Sequence, residues 1–125
     1  MLSPRPRVLL ADDSPDVVKA VARLLALDCD VVGAVADGRA LLEAAQRLQP
    51  DAIVLDLSLP NIHGLEACRQ IMQRHPETRV IVFTASSDPD VRQRSFEAGA
   101  SGFVSKLEDE DDVLSTITKL CVDGG

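Results

Sequence analysis

Apolar positions along the chain alternate between two rhythms. Short unbroken runs occur at Arg7–Ala11, Asp30–Val35, Ala52–Asp56, Arg79–Phe83 and Gly102–Ser105. Runs of four to six residues bounded by turn-forming residues read as strands, and those apolar throughout as strands buried on both faces. The second run is the weakest, because Gly33 interrupts it. Between the runs, apolar residues recur at helical spacing: Val17, Val18, Val21, Leu24 and Leu25; Leu41, Leu42, Ala45 and Leu48; Leu65, Cys68, Ile71 and Met72; Val113, Leu114, Ile117 and Leu120. A more polar segment from Asp88 to Gly99 carries Arg92, Gln93 and Arg94 on its outer side. The helix starts have a chemical signature. Ser14-Pro15-Asp16 and Asp88-Pro89-Asp90 each offer a side-chain cap, a proline at the first helical position and an acid in the first turn. Asp37-Gly38 and Gly64-Leu65 open two more helices, and Glu108–Asp112 forms an acidic lead-in to the last. Pro50, Pro76, Gly99 and Gly124-Gly125 close the helices.

Strand and helix thus alternate five times with short connections, which implies a parallel sheet with helices on both faces. In such a sheet all strand C-terminal ends lie on one edge, where ligands bind. Four of the five strands finish there in a polar residue: Asp12-Asp13, Asp56, Thr84 and Lys106. Taken singly, these are a helix cap, a loop acid, a strand-end hydroxyl and a solvated lysine. Brought to one edge they make a specific chemistry. Three carboxylates in close quarters raise one another's pKa unless a cation intervenes. Mg²⁺ suits such a place, taking one or two carboxylates together with waters and phosphate oxygens. A carboxylate beside Mg²⁺ is the setting for phosphoryl transfer to that carboxylate, giving an aspartyl phosphate. Lys106 would add a second positive charge and Thr84 a hydroxyl donor to a phosphate oxygen.

Composition narrows the field. The length of 125 residues fits one domain, and 46% hydrophobic with 26% charged residues is ordinary for a soluble protein. A net charge of −7 and a pI near 4.7 argue against direct binding of nucleic acid or anionic membrane by this segment. The apolar runs are too short to span a bilayer and the first residues lack a signal-peptide core, so the cytoplasm is the expected location. Cys29, Cys68 and Cys121 are widely spaced in apolar surroundings and read as small core residues. The absence of Trp and Tyr argues against an aromatic ligand cage or base-stacking platform. The first turn, Ala11-Asp12-Asp13-Ser14-Pro15, has none of the glycines of nucleotide-binding loops. His63 and His75 are isolated in sequence and expected at the surface.

The ordered set Asp12-Asp13, Asp56-Leu57-Ser58-Leu59-Pro60 with Gly64, Phe83-Thr84-Ala85 and Phe103-Val104-Ser105-Lys106 resembles the receiver domain of bacterial two-component response regulators. The resemblance runs from residue 7 to 122, leaving 1–6 as a flexible arm and 123–125 as a tail. Val31-Val32-Gly33 and Phe96–Phe103 are similar to the NarL/FixJ-type subgroup. The resemblance implies a flavodoxin-like (βα)5 fold with sheet order 2-1-3-4-5. It implies that Asp56 accepts a phosphoryl group from a sensor histidine kinase or phosphotransfer protein. Mg²⁺, with Mn²⁺ as the alternative ion, would be held by Asp12, Asp13, Asp56 and the main-chain carbonyl of Ser58. Thr84 and Lys106 would bind phosphoryl oxygens, Thr84 and Phe103 would form the switch, and Ser58 and Ser86 would tune phosphate lifetime. Leu107 stands where many receivers have proline, so no cis peptide is expected after Lys106. The implied output is transcription through a DNA-binding domain absent from this chain, or a protein partner. Arg92 and Arg94 facing Glu108–Asp112 of a second copy would make a phosphorylation-dependent homodimer. Two alternatives compete. A phosphotransferase acting on an outside substrate would need an acid two residues after Asp56, where Ser58 stands. A phosphate-independent interaction module would have no use for the intact set of acids, Thr84 and Lys106.

Overall fold

The computed structural model of the chain describes residues 5–107 and 110–123, the side chains of 110–114 and 123 excepted. The elements are β1 (Arg7–Ala11), α1 (Pro15–Leu25), β2 (Asp30–Val35), α2 (Gly38–Leu48), β3 (Ala52–Leu55), α3 (Gly64–Arg74), β4 (Arg79–Thr84), α4 (Pro89–Glu97), β5 (Gly102–Ser105) and α5 (Glu110–Asp123). The strands form one parallel sheet in the order β2-β1-β3-β4-β5. This is the expected 2-1-3-4-5 order, and each crossover is a helix because parallel neighbours cannot be joined by a tight turn.

The predicted caps operate. The Ser14 hydroxyl accepts from the Val17 N–H at 3.4 Å, and Asp37 and Asp88 accept from Ala40 and Asp90 at 2.8 and 2.9 Å. Each satisfies an amide that the helix itself cannot. Helix α4 ends at Glu97, two residues before the expected stop, and Gly99 turns the chain toward β5 with φ +106°. That conformation suits glycine.

Every residue of β3 is buried, as its unbroken apolar run predicts. Alternate strand residues feed two cores. Leu9, Ile53, Leu55, Val80 and Val82 pack toward α2, α3 and α4, while Val8, Leu10, Val54, Ile81 and Phe83 pack toward α1 and α5. All three cysteines are buried and free, within these cores. At the edge remote from the strand C-termini, arginines tie down helix ends and the turn after α1: Arg5 donates to the Cys29 carbonyl at 2.9 Å, Arg7 to that of Leu48 at 2.7 Å, and Arg79 to that of Cys121. Leu42, Leu48, Leu65 and Met72 are only half-buried, because they border a core rather than fill it, and Leu24 is half-buried as well.

One histidine departs from expectation. His75 is buried, not on the surface. It ends α3, and the turn closed by Thr78 N–H on the His75 carbonyl (3.0 Å), with Thr78 Oγ1 on the Pro50 carbonyl (3.1 Å), folds that helix end inward. Among the described residues, no helix is long and apolar enough to cross a membrane.

Candidate functional site

Backbone pairing continues one step past the strands and so fixes the polar residues that follow. Asp56 N–H donates to Ala11 O at 2.9 Å, Asp12 N–H to Val35 O at 3.0 Å, and Lys106 N–H to Thr84 O at 2.8 Å. Asp12, Asp56, Thr84 and Lys106, far apart in sequence, are thereby delivered to one edge. Asp12, Asp56 and Thr84 are buried there, while Asp13 stands exposed at the rim.

The Lys106 ammonium bridges two of the acids, 2.7 Å from Asp12 Oδ2 and 3.0 Å from Asp56 Oδ2. It also lies 5.3 Å from the centre of the Phe83 ring. The second oxygen of Asp56 is the focus of three donors: Thr84 Oγ1 at 3.1 Å, the Ser58 N–H at 3.1 Å and the Ser58 hydroxyl at 3.0 Å. Asp12 Oδ1 accepts from the Ser14 N–H at 2.9 Å, which sets the orientation of that carboxylate. The peptide bond after Lys106 is trans, and the Leu107 N–H turns back to Ser105 Oγ at 3.1 Å. Lys106 therefore reaches both acids without a proline after it.

The electrostatics follow from these contacts. Burial by itself would raise the Asp56 pKa, but the Ser58 N–H and the Lys106 ammonium outweigh it and hold the carboxyl below its usual value. Burial likewise works against the charged form of Lys106, yet its bonds to Asp12 and Asp56 raise its pKa. Asp12, Asp13 and Asp56 each offer an oxygen, all within 4.8 Å of one another, against the one bridging ammonium. The donor set is hard oxygen and more negative than Lys106 alone can balance, which fits a hard divalent cation such as Mg²⁺.

Phe103 is half-buried on β5, against the core shared with α2, α3 and α4. Ser86 caps the start of the next turn, its hydroxyl accepting from Asp88 N–H at 3.2 Å. Ser58, Thr84, Ser86, His63 and Arg94 share an open cleft of about 290 Å³ beside Asp56. The Ser58 hydroxyl bond to Asp56 and the part played by His63 are not readable from sequence periodicity. His63 caps α3, its Nδ1 accepting from Leu65 N–H at 3.2 Å; the residue just before the predicted start at Gly64 was the available signal. Arg94 pairs within its own helix with Asp90 at 3.1 Å, and Arg92 sits 5.2 Å over the Phe96 ring. Of their expected counterparts, Glu108 and Asp109 lie outside the described residues, as do the side chains of Glu110, Asp111 and Asp112.

Residues 8–118 match the response regulator receiver domain family. The chain belongs to that family. Among curated relatives it is 37% identical to the response regulator GacA of Pseudomonas viridiflava, over 80% of this chain and 48% of that protein. It is 31% identical to the nitrate/nitrite response regulator NarL of Escherichia coli, over 88% of this chain and 52% of that protein. The receiver thus spans about half the length of the curated relatives it matches. A solved two-component response regulator of the LuxR family from Aurantimonas superposes with a TM-score of 0.85 at 33% identity, over 94% of this chain and 85% of that one. The response regulator domain of Thermotoga maritima CheB gives 0.84 at 29% identity, with 92% of each chain covered. These relatives agree with the NarL/FixJ-type features of the sequence and with the flavodoxin-like sheet order.

Proposed function

We propose that this receiver takes a phosphoryl group on Asp56 from a phosphohistidine of a sensor kinase or phosphotransfer protein. The observation that carries the reading is the Asp56 carboxylate itself, buried yet held ionised by Ser58 and Lys106 and hydrogen-bonded by Thr84, with Asp12 and Asp13 within ligand distance. In the transfer, an Asp56 oxygen attacks phosphorus, the phosphorus–nitrogen bond of the donor breaks, and the departing imidazole keeps that electron pair and takes up a proton. Phosphoryl transfer leaves the protein mainly the work of positioning and of neutralising charge. Asp12, Asp13, Asp56 and the Ser58 carbonyl would hold Mg²⁺ or Mn²⁺, which supplies charge neutralisation to the phosphoryl oxygens when bound.

Lys106 and Thr84 already point their donors at Asp56, so both can turn to phosphoryl oxygens with small movements. A phosphoryl group competes with the Asp56 oxygen for the Thr84 hydroxyl, and the population with Thr84 drawn to phosphate leaves space that Phe103 fills. Phe103 has no hydroxyl, so its two positions differ by packing alone. Ser58 and Ser86 flank the path that an attacking water would take to the aspartyl phosphate and so set its lifetime. Receivers are generally not enzymes acting on outside substrates, and Ser58 in place of an acid agrees with that for this chain. The output is transcription through a further domain or a partner protein in the cytoplasm, with phosphorylated receivers pairing as homodimers.

Incubation with Mg²⁺ and a small acyl phosphate should add one phosphoryl group by intact mass, lost in Asp56→Asn and on removal of the metal. A wild-type chain that stays unmodified under saturating donor refutes the proposal.

A further inference from the structure

The loop between Asp56 and α3 is braced by a helix that contributes none of the site side chains. Leu57 and Leu59 are buried in the core and Ser58 between them is exposed, so the loop alternates inward and outward beside Asp56. Its far end closes on itself, with Ile62 N–H on the Pro60 carbonyl at 3.1 Å and Asn61 at φ +76°. The first residue of α2 meets it there. Gly38 N–H, an amide with no partner inside its own helix, donates to the Pro60 carbonyl at 3.0 Å.

The approach leaves no room for a side chain. A Cβ on Gly38 would lie 2.6 Å from the Ile62 carbonyl oxygen, 2.7 Å from Ile62 Cβ and 3.1 Å from Ile62 Cα. None of these atoms can move by a rotamer change, so the loop itself would have to retreat. By contrast, a Cβ on Gly33 would meet only the Leu48 and Leu9 Cδ1 atoms, at 3.3 and 3.4 Å, ends of flexible side chains.

We propose that Gly38 is a positioning residue for phosphoryl transfer: the N-terminus of α2 is the stop that sets the 57–62 loop, and through it the Ser58 main chain, against Asp56. The inference rests on the function proposed above. It acts through geometry alone, since Gly38 touches no reacting atom. A small displacement of a catalytic constellation by a distant substitution can cost on the order of 100-fold in rate.

The test compares wild type, Gly38→Ala and the control Gly33→Ala well below their melting temperatures. Mg²⁺ binding is followed by calorimetry and phosphorylation by intact mass. Gly38→Ala should weaken Mg²⁺ binding and slow phosphorylation at saturating Mg²⁺ by about tenfold or more, while Gly33→Ala stays within about twofold of wild type. In the wild-type protein itself, which needs no variant to fold, the Gly38 amide resonance should shift on Mg²⁺ addition with the same midpoint as that of Ser58. If Gly38→Ala loses only stability while keeping Mg²⁺ affinity and rate, or if the Gly38 amide is unmoved, the inference is overturned. A wild type that takes up neither Mg²⁺ nor phosphoryl overturns the proposed function as well; one that takes up both, alongside an unimpaired Gly38→Ala, overturns this inference alone.

Discussion

Replacing Lys106 by methionine removes the one ammonium that bridges Asp12 and Asp56 and keeps most of the side-chain volume. At 2.7 and 3.0 Å, each attraction is worth about 5–6 kcal/mol gross at an effective dielectric of about 20. Much of that is offset by desolvation of the lysine, whose side chain retains 19% exposure. What the variant exposes is the other side of the balance, two buried carboxylates beside Asp13 with no cation. Removing one partner of a buried pair costs about 3–5 kcal/mol, and the partial exposure points to the lower end. Urea unfolding at neutral pH without metal should therefore show Lys106→Met less stable by about 3 kcal/mol. Two conditions should narrow the gap. Mg²⁺ at about 100 times its dissociation constant stabilises by about 2.7 kcal/mol. It should bind the variant more tightly, because no lysine competes for the same oxygens. Lowering the pH should also help, by protonating carboxylates that no longer have a counter-charge. A variant as stable as wild type without metal, or a gap that Mg²⁺ leaves unchanged, refutes the idea that Lys106 is the resident cation of the acid cluster.

Other outcomes follow from the same contacts. The pKa of Asp56 is lowered by folding, so its stabilisation is present above the ordinary carboxylate value of about 3.9 and is lost as pH falls through its folded-state value. That of Lys106 is raised, so its share is complete below about 10.4 and is lost as pH rises through its folded-state value. The stability difference between wild type and Lys106→Met, measured across pH, should accordingly form a plateau that collapses at both ends; a difference that persists in strong acid contradicts this. Gly64→Ala should destabilise by about 3 kcal/mol or more, because its Cβ would press on the Leu57 backbone, 2.8 Å from the carbonyl oxygen; urea unfolding gives the value, and a neutral effect would show that the loop yields freely. Burial pushes the Cys68 and Cys121 thiols up to about 11 and about 12. Iodoacetamide should thus leave the native chain, whose three cysteines are all buried, unlabelled near neutral pH and modify all three once urea is added, as read by mass; rapid native labelling would contradict the packing of both cores.

The sequence carried the architecture because its signals are local. Five apolar runs, their side-chain caps and their glycine or proline stops each act within a few residues. Asp12, Asp56, Thr84 and Lys106 were legible for a related reason: parallel strands all end on one edge, so the residue after each run must lie there. What was not legible depends on distances between segments. That Lys106 spans Asp12 and Asp56, that three donors converge on one Asp56 oxygen, and that Gly38 abuts Ile62 are consequences of register and of helix placement. His75 illustrates the limit. Its polarity and isolation suggest the surface, but the turn to Thr78, bonded to the Pro50 carbonyl, folds the end of α3 inward. His63, expected at the surface, is exposed there and gains a local task as the cap of α3.

The most direct test of the central claim locates the phosphoryl group itself. Phosphorylated protein, treated with borohydride to reduce the acyl phosphate to an alcohol and then digested, should yield a peptide with homoserine in place of Asp56, and Asp12 and Asp13 unchanged. Homoserine at Asp12 or Asp13, or at no position in a chain that has demonstrably taken up phosphate, would contradict Asp56 as the acceptor.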